Sequence, residues 1–384
     1  MRSLQQRSAI DTTQPYHIYY DLDINNNDTT GLNEPPDLRF TEIRNSPYLM
    51  APENYFMSVT RFTLQTPSLP NFIPQVMLGQ TDINKTIYSI TLKYKTFEFQ
   101  QFVAFVPNDL SQPLPDLPLD IQDLTSAYYF VKTYQEWIEM INTAFISAFT
   151  GLAASIQLPT THAPFMEFDP QALICILNAD EVGYARTLID PIEIYMNAPL
   201  FNLFSSFPAT CYGYQNITNG KNYKFDIFSN NGANILNLTD YNAIQMYQEN
   251  TTCGLWNPIQ SIVFTTALLP INPSLISAPK IFGADSNLFN LGNNANIAPI
   301  ITDFTVPFSA TNTYKPTVEY VAGGEYRLYD MFGSSPLNAI ELSVFWKDTF
   351  GIMHPFKLNS GCCATIKLLF RRKDFNTTAL IKNY

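Results

Sequence analysis

Between Pro52 and Pro67 the chain runs YFMSVTRFTLQT, Tyr55 to Thr66, with side chains alternating in character and neither glycine nor proline inside. A period of two closed off by proline at both ends describes a short strand with one buried face. The pattern recurs at Phe72 to Leu78, Thr86 to Tyr94, Thr96 to Val106, Ile259 to Leu268, Ile300 to Phe308, Leu337 to Lys347 and Ala364 to Arg371. In LNAIELSVFWK, Ile340, Leu342, Val344 and Trp346 alternate with Glu341, Ser343 and Lys347. With 27 prolines against 15 glycines, connections are punctuated by proline, and many short strands so joined predict an all-β sandwich or jelly roll. No repeat of 20 to 50 residues is visible, which excludes solenoids and propellers.

The strands fall into two groups with a different stretch between them. Residues 107–200 hold twelve acidic and two basic side chains, Lys132 and Arg186. The stretch opens on PNDLSQPLPDLPLD, which reads as a crossing between domains. One clear helix follows. Thr133 and Glu136 form a T-x-x-E capping box, with Trp137, Ile141, Ala144, Phe145, Ala148 and Phe149 at helical spacing behind it. Met140 to Met166 lacks charge, but Asn142, Ser147, Thr150, Gly151, Ser155, Gln157 and Pro159 interrupt it too often for a bilayer span, so a buried helix is expected and no membrane span. Ala172 to Leu177, Pro191 to Met196 and Tyr223 to Phe228 predict strands of an inserted, mainly β second domain. The expected layout is an N-terminal arm over residues 1–45, a discontinuous base over 46–106 and 256–372, an inserted outer domain over 107–255, and a basic tail over 373–384.

Residues that could carry chemistry are sparse. Neither GxGxxG nor GxxxxGK[ST] is present, and His17, His162 and His354 are scattered without metal-ligand spacing. Gly333-Ser334-Ser335 lacks the second glycine of a nucleophile elbow. The acidic pairs, Asp180-Glu181 and Asp116, Asp120 and Asp123, lie in loop-like sequence rather than on one strand face. Asp21, Asp23, Asn25 and Asn27 alternate like the opening of a calcium loop, but Asn26 stands where such a loop needs glycine and Leu32 where it needs glutamate. No catalytic residue, metal or cofactor is therefore expected, and the chain does not read as an enzyme.

Charged residues make up only 14% of the chain against roughly 25% in ordinary domains, which leaves a surface suited to burial by neighbours. The net charge of −11 is unevenly spread. Residues 361–384 hold Lys367, Arg371, Arg372, Lys373 and Lys382 against Asp374 alone. Two further cations, Arg2 and Arg7, stand in the arm. These basic ends are candidates for contact with phosphate or an acidic neighbour, while Arg371 to Lys373 could equally be a charged strand end that discourages strand addition. The five cysteines are odd in number and the N-terminus lacks the apolar core of a signal peptide, so free thiols in a reducing compartment are expected.

Four phrases bring a family into view: LMAPENYFMSVTRFTLQTPSLPNFIP at Leu49 to Pro74, YYFVKTYQEWIEMINTAF at Tyr128 to Phe145, WNPIQSIVFTTALLPI at Trp256 to Ile271, and LNAIELSVFWKDTFGIMHPFKLNSGCCATIKLLFRRKDF at Leu337 to Phe375. In their order and spacing the chain resembles the minor capsid, or penton, proteins of virophages and Polinton-like double-stranded DNA viruses. The resemblance implies a single jelly roll with an inserted outer domain, five copies at each icosahedral five-fold vertex, and contact with trimers of a double jelly-roll major capsid protein. It places the protein in the virion, assembled in a reducing host compartment. Under it, Arg2, Arg7, Arg371, Arg372 and Lys373 become candidate contacts for capsid neighbours or encapsidated DNA. A receptor- or glycan-binding spike, with the insertion binding a host surface, is the alternative.

Overall fold

The computed structural model describes residues 15–374 except 32, 120–121, 123–125, 233–234, 272–279, 282–299, 306–316, 322–326 and 350. Arg2, Arg7, Asp120, Asp123 and Lys382 lie outside the described residues, as does the tract SNLFNLGNNANIA.

In chain order the strands are β1 (His17–Asn25), β2 (Arg39–Ile43), β3 (Tyr55–Gln65), β4 (Lys85–Tyr94), β5 (Phe97–Ala104), β6 (Phe165–Asp169), β7 (Ile174–Asp180), β8 (Glu193–Met196), β9 (Ala209–Cys211) and β10 (Tyr223–Phe225). There follow β11 (Ile235–Asn237), β12 (Asn242–Tyr247), β13 (Ile259–Thr265), β14 (Lys280–Ile281), β15 (Ile300–Thr305), β16 (Thr317–Val321), β17 (Tyr329–Asp330), β18 (Ala339–Asp348), β19 (Ile352–Pro355) and β20 (Cys363–Arg372). Helices are α1 (Tyr134–Ala153), α2 (Glu181–Tyr184), α3 (Ala198–Leu203) and α4 (Cys253–Trp256). The chain is all-β in character, with α1 its one long helix, and it divides into two compact units. Described residues up to Ser68 and from Ile259 onward make unit 1, and Leu69–Pro258 make unit 2.

Unit 1 is a sandwich. One sheet runs β1-β20-β3-β16 with β17 also on β3; the other runs β14-β19-β18-β13-β15 with β2 on β18. All pairings are antiparallel except β14 with β19. The chain passes from the first sheet to the second and back between β1, β2 and β3, as jelly-roll connections do. The sheets meet on aromatic rings: Phe62 of β3 lies 5.1 Å from Phe264 of β13 and 4.8 Å from Phe304 of β15. Along β18 Ile340, Leu342, Val344 and Trp346 are buried as the alternation indicates, but Glu341 and Phe345 are buried too, Glu341 paired with Arg39 at 2.8 Å and accepting from Ala267 N–H.

Unit 2 has two sheets, β5-β4-β8-β10-β9 and β11-β12-β7-β6, with α1 packed on β4 and β5 of the first and on β6 of the second. The capping box forms as expected: Thr133 Oγ1 accepts from Glu136 N–H and Glu136 Oε2 accepts from Thr133 N–H, both at 3.3 Å. Trp137, Ile141, Ala144, Phe145 and Ala148 point into the core. Around Trp137 stand Phe72 and Tyr88, at 4.7 and 5.3 Å, and Trp256 packs on Tyr134 and Phe204. Gly151 lets the end of α1 approach β5, because a Cβ there would fall 2.6 Å from the Phe99 ring.

Several expectations need correction. Residues 16–45 are not an arm: β1 lies along β20 and β2 along β18, with Leu22, Leu38 and Phe40 buried, because both sheets need the pairing and the apolar side chains. Asp21, expected in a solvated turn, sits in β1 between Arg61 and Lys367, each 3.2 Å away. Phe72 to Leu78 makes only isolated bridges at Phe72 and Val76, since Pro70 and Pro74 remove ladder donors. The strands at 85–104 belong to unit 2, where β4 pairs with β8 and Ile90, Leu92 and Val103 join the core around Trp137. Trp256 belongs to that core too. The proline-rich crossing at 107–120 does not link the units but joins β5 to α1 within unit 2.

Candidate assembly surfaces

β20 is a central strand, between β1 and β3, so the basic triplet stands at the end of a covered ladder. The structure buries one of its three cations and pairs a second with a neighbouring carboxylate. Arg372 is buried; its Nη2 and Nε reach Asp374 Oδ2 and Oδ1 at 2.7 and 3.1 Å, and its guanidinium lies 5.0 Å from the centre of the Tyr16 ring. Buried and closed on a carboxylate, this fork is not presented to a phosphate at the surface. Lys373 Nζ donates to the Met331 carbonyl at 2.9 Å and lies 3.0 Å from Asp330 Oδ1. Arg371, opposite His17 in the β1–β20 ladder, is half-buried and has contacts of its own. The charge in this segment thus fastens the β20 end to its surroundings.

A second surface, which sequence reading missed, covers the outer face of the first unit 2 sheet. Lys93 of β4 stands opposite Glu193 of β8, and Lys224 of β10 stands opposite Tyr195, diagonal to Glu193. Glu193 accepts from Lys93 at 2.9 Å, from Lys224, and from the Tyr195 hydroxyl at 2.9 Å. Burial opposes ionisation of Glu193, but these three donors outweigh it and bring its carboxyl down to about 2. Nearby, Glu98 accepts from Lys221 and Asn219, which again hold its carboxyl below the ordinary range against burial. The turn carrying them needs Gly220 at φ +64°, where a Cβ would meet Ser89 and Gln100.

Aromatic rings gather at the β9–β10 edge of the sheet, Tyr223 on its core side and Tyr212 beside Tyr195 on the lysine side. Tyr223 stacks on Phe201 at 3.9 Å and shares a hydroxyl hydrogen bond with Tyr214, and Tyr212 stands edge-on to Tyr195 at 6.1 Å. Tyr212 and Tyr214 are more than half exposed. The signal was present in CYGYQNITNGKNYKF, but short strands of three residues carry no period to fix which tyrosines project.

The third surface is the segment after β5. Leu110 and Leu114 are 87% and 75% exposed, and Val106, Leu117 and Leu119 are exposed beside them. Pro107, Pro113, Pro115 and Pro118 punctuate it, and the Pro118 carbonyl accepts from Gly79 N–H at 2.8 Å. Such a run of aliphatic side chains on a segment without strand or helix is an interaction surface in waiting. Among the described residues no group of three His, Cys, Asp or Glu side chains could hold a metal, and no helix is long and apolar enough to cross a membrane.

The sequence profile of the family described as Sputnik minor capsid protein V18/19 matches residues 18–372. The chain belongs to this family. Structural protein V19 of Sputnik virophage is 32% identical over 221 residues, 56% of this chain and 96% of that protein. Uncharacterized protein V18 of Sputnik virophage is 32% identical over 160 residues, 39% of this chain and 92% of that one. A chain from the cryo-EM structure of the Sputnik virophage superposes with a TM-score of 0.77 at 31% identity, covering 94% of this chain and 99% of that one. The mavirus penton protein shares the fold, with a TM-score of 0.62 at 16% identity over 93% of this chain and 99% of that one. A member of this family is a structural protein of the virion, not an enzyme, and membership supports the capsid role over attachment as its principal task.

Proposed function

We propose that this minor capsid protein is the penton of its particle, five copies closing a ring at each five-fold vertex among trimers of a double jelly-roll major capsid protein. The observation that carries the reading is the shared fold with the mavirus penton protein over 93% of the chain. Ring closure needs a head-to-tail interface made of two different surfaces on each copy. The charge-poor aliphatic segment and the tyrosine-bordered face of unit 2 have the composition of persistent interfaces.

Arg2 and Arg7 remain proposed contacts for major capsid protein or encapsidated DNA. Arg372 and Lys373, engaged with Asp374 and Asp330, support a lesser role, holding the β20 end in place. Contact of unit 2 with a host receptor is secondary, and silence of the intact protein on glycan arrays would remove it.

Electron microscopy and mass photometry of the purified chain test the main reading. Rings of five near five times 43.6 kDa are expected. A chain that stays monomeric even with major capsid protein present overturns it. Deleting residues 1–14 and 375–384 is expected to lower incorporation at vertices; unchanged incorporation would remove the role of the ends.

A further inference from the structure

The aliphatic segment and the tyrosines stand at opposite edges of one sheet. The segment follows β5 and Tyr212 and Tyr214 follow β9, the two edge strands of the order β5-β4-β8-β10-β9. Four strand spacings separate these edges, roughly 19 Å. The Gly79–Pro118 hydrogen bond anchors the far end of the segment.

Their chemistry is complementary. Four prolines fix φ along residues 107–119, so little backbone entropy is lost on docking, and Pro115-Asp116-Leu117-Pro118 has the P-x-x-P spacing that aromatic surfaces receive. Tyrosines give wide contact area at low conformational cost. Charge agrees as well. The segment holds Asp109 and Asp116 and no cation, whereas Lys93, Lys221 and Lys224 outnumber Glu98 and Glu193 on the tyrosine-bordered face. That local excess of positive charge stands out in a unit with 17 acidic and 7 basic residues.

We propose that residues 107–119 of one subunit dock on the face around Tyr212 and Tyr214 of a second copy of this chain. Repeated head to tail, the contact supplies both halves of a closing ring. The inference deepens the penton reading and rests on it.

An exposed native thiol provides the test. Cys211 adjoins Tyr212 and pairs with Tyr223. Full-length Leu114→Cys and Leu117→Cys, treated with diamide as oxidant, are expected to give a ladder from dimer to pentamer on non-reducing gels. The ladder should vanish when Cys211→Ser is added, and Ile189→Cys, at a fully exposed position elsewhere in unit 2, should give none. Mass photometry of the same samples separates the two readings. Rings of five without a ladder from either variant, or a ladder that survives Cys211→Ser, overturn the docking inference and leave the penton standing. Monomers alone at every concentration overturn both. As a second measurement, Tyr212→Ser with Tyr214→Ser is expected to weaken ring formation at least tenfold with an unchanged thermal midpoint; an unchanged ring equilibrium also overturns the inference.

Discussion

At the residue scale, the fate of each charge depends on its neighbours in space. Arg372 and Arg61 both pair with an aspartate, but Arg372 is buried and Arg61 is nearly half exposed. Arg372→Ala is expected to cost about 2–4 kcal/mol, because it strips a packed guanidinium from Tyr16 and leaves Asp374 uncompensated. Arg61→Ala should cost under about 1 kcal/mol. Urea titration of both variants checks the contrast. Lys132 shows the opposite sign. Burial, only partly offset by Asp109 and Glu136, lowers its ammonium from 10.5 to about 8. The unfolded chain then binds the proton more tightly than the folded one, so the penalty is complete below about pH 8 and fades as pH rises to 10.5. Lys132→Met should therefore raise stability at pH 7 by about 1 kcal/mol, with the gain shrinking toward pH 10 in thermal unfolding. Glu193 runs the other way again: its depressed carboxyl stabilises unit 2 above about pH 4.5 and that contribution disappears as pH falls toward 2. Unfolding of Glu193→Gln followed from pH 6 to 3 should show a flatter loss of stability than the parent. The sequence displays all these charges and sets Asp374 two residues from Arg372, yet only the fold buries that pair and makes Glu193 a partner of two lysines.

At the scale of elements, legibility followed length and period. α1 was readable because its cap and its apolar stripe are both local; Thr133→Ala should cost about 1 kcal/mol in denaturant unfolding, the usual worth of such a cap. β3, β4, β13, β18 and β20 were readable from alternation. β1 was not, since HIYYDLDIN leaves one face in solvent and only β20 gives it a reason to be a strand. The segment Phe72 to Leu78 misled in the other direction, being apolar enough for a strand but denied the donors. Packing between sheets follows from neither signal. Phe62 touches rings from β13 and β15, so Phe62→Ala should cost about 3–5 kcal/mol by denaturant titration, much more than its place on one strand indicates.

At the scale of the whole molecule, the boundary between units moved further than any strand. The large core from Phe72 to Trp256 lies wholly within Leu69–Pro258, so that segment expressed alone is expected to fold and unfold cooperatively, as far-UV circular dichroism and amide dispersion would show. A fragment beginning at residue 107 lacks β4 and β5 and should not fold. The sequence by itself determined the class: alternation and proline spacing dictate short antiparallel strands, the capping box dictates one helix, and thin, segregated charge dictates a subunit made for burial. These are local or compositional properties, fixed by the order of residues alone. Tertiary structure decided which sheet each strand joined, which cations stayed available and where the aliphatic segment and the tyrosines came to stand. Those depend on pairings across long sequence separations, and a strand's own alternation says which face is buried but not against what.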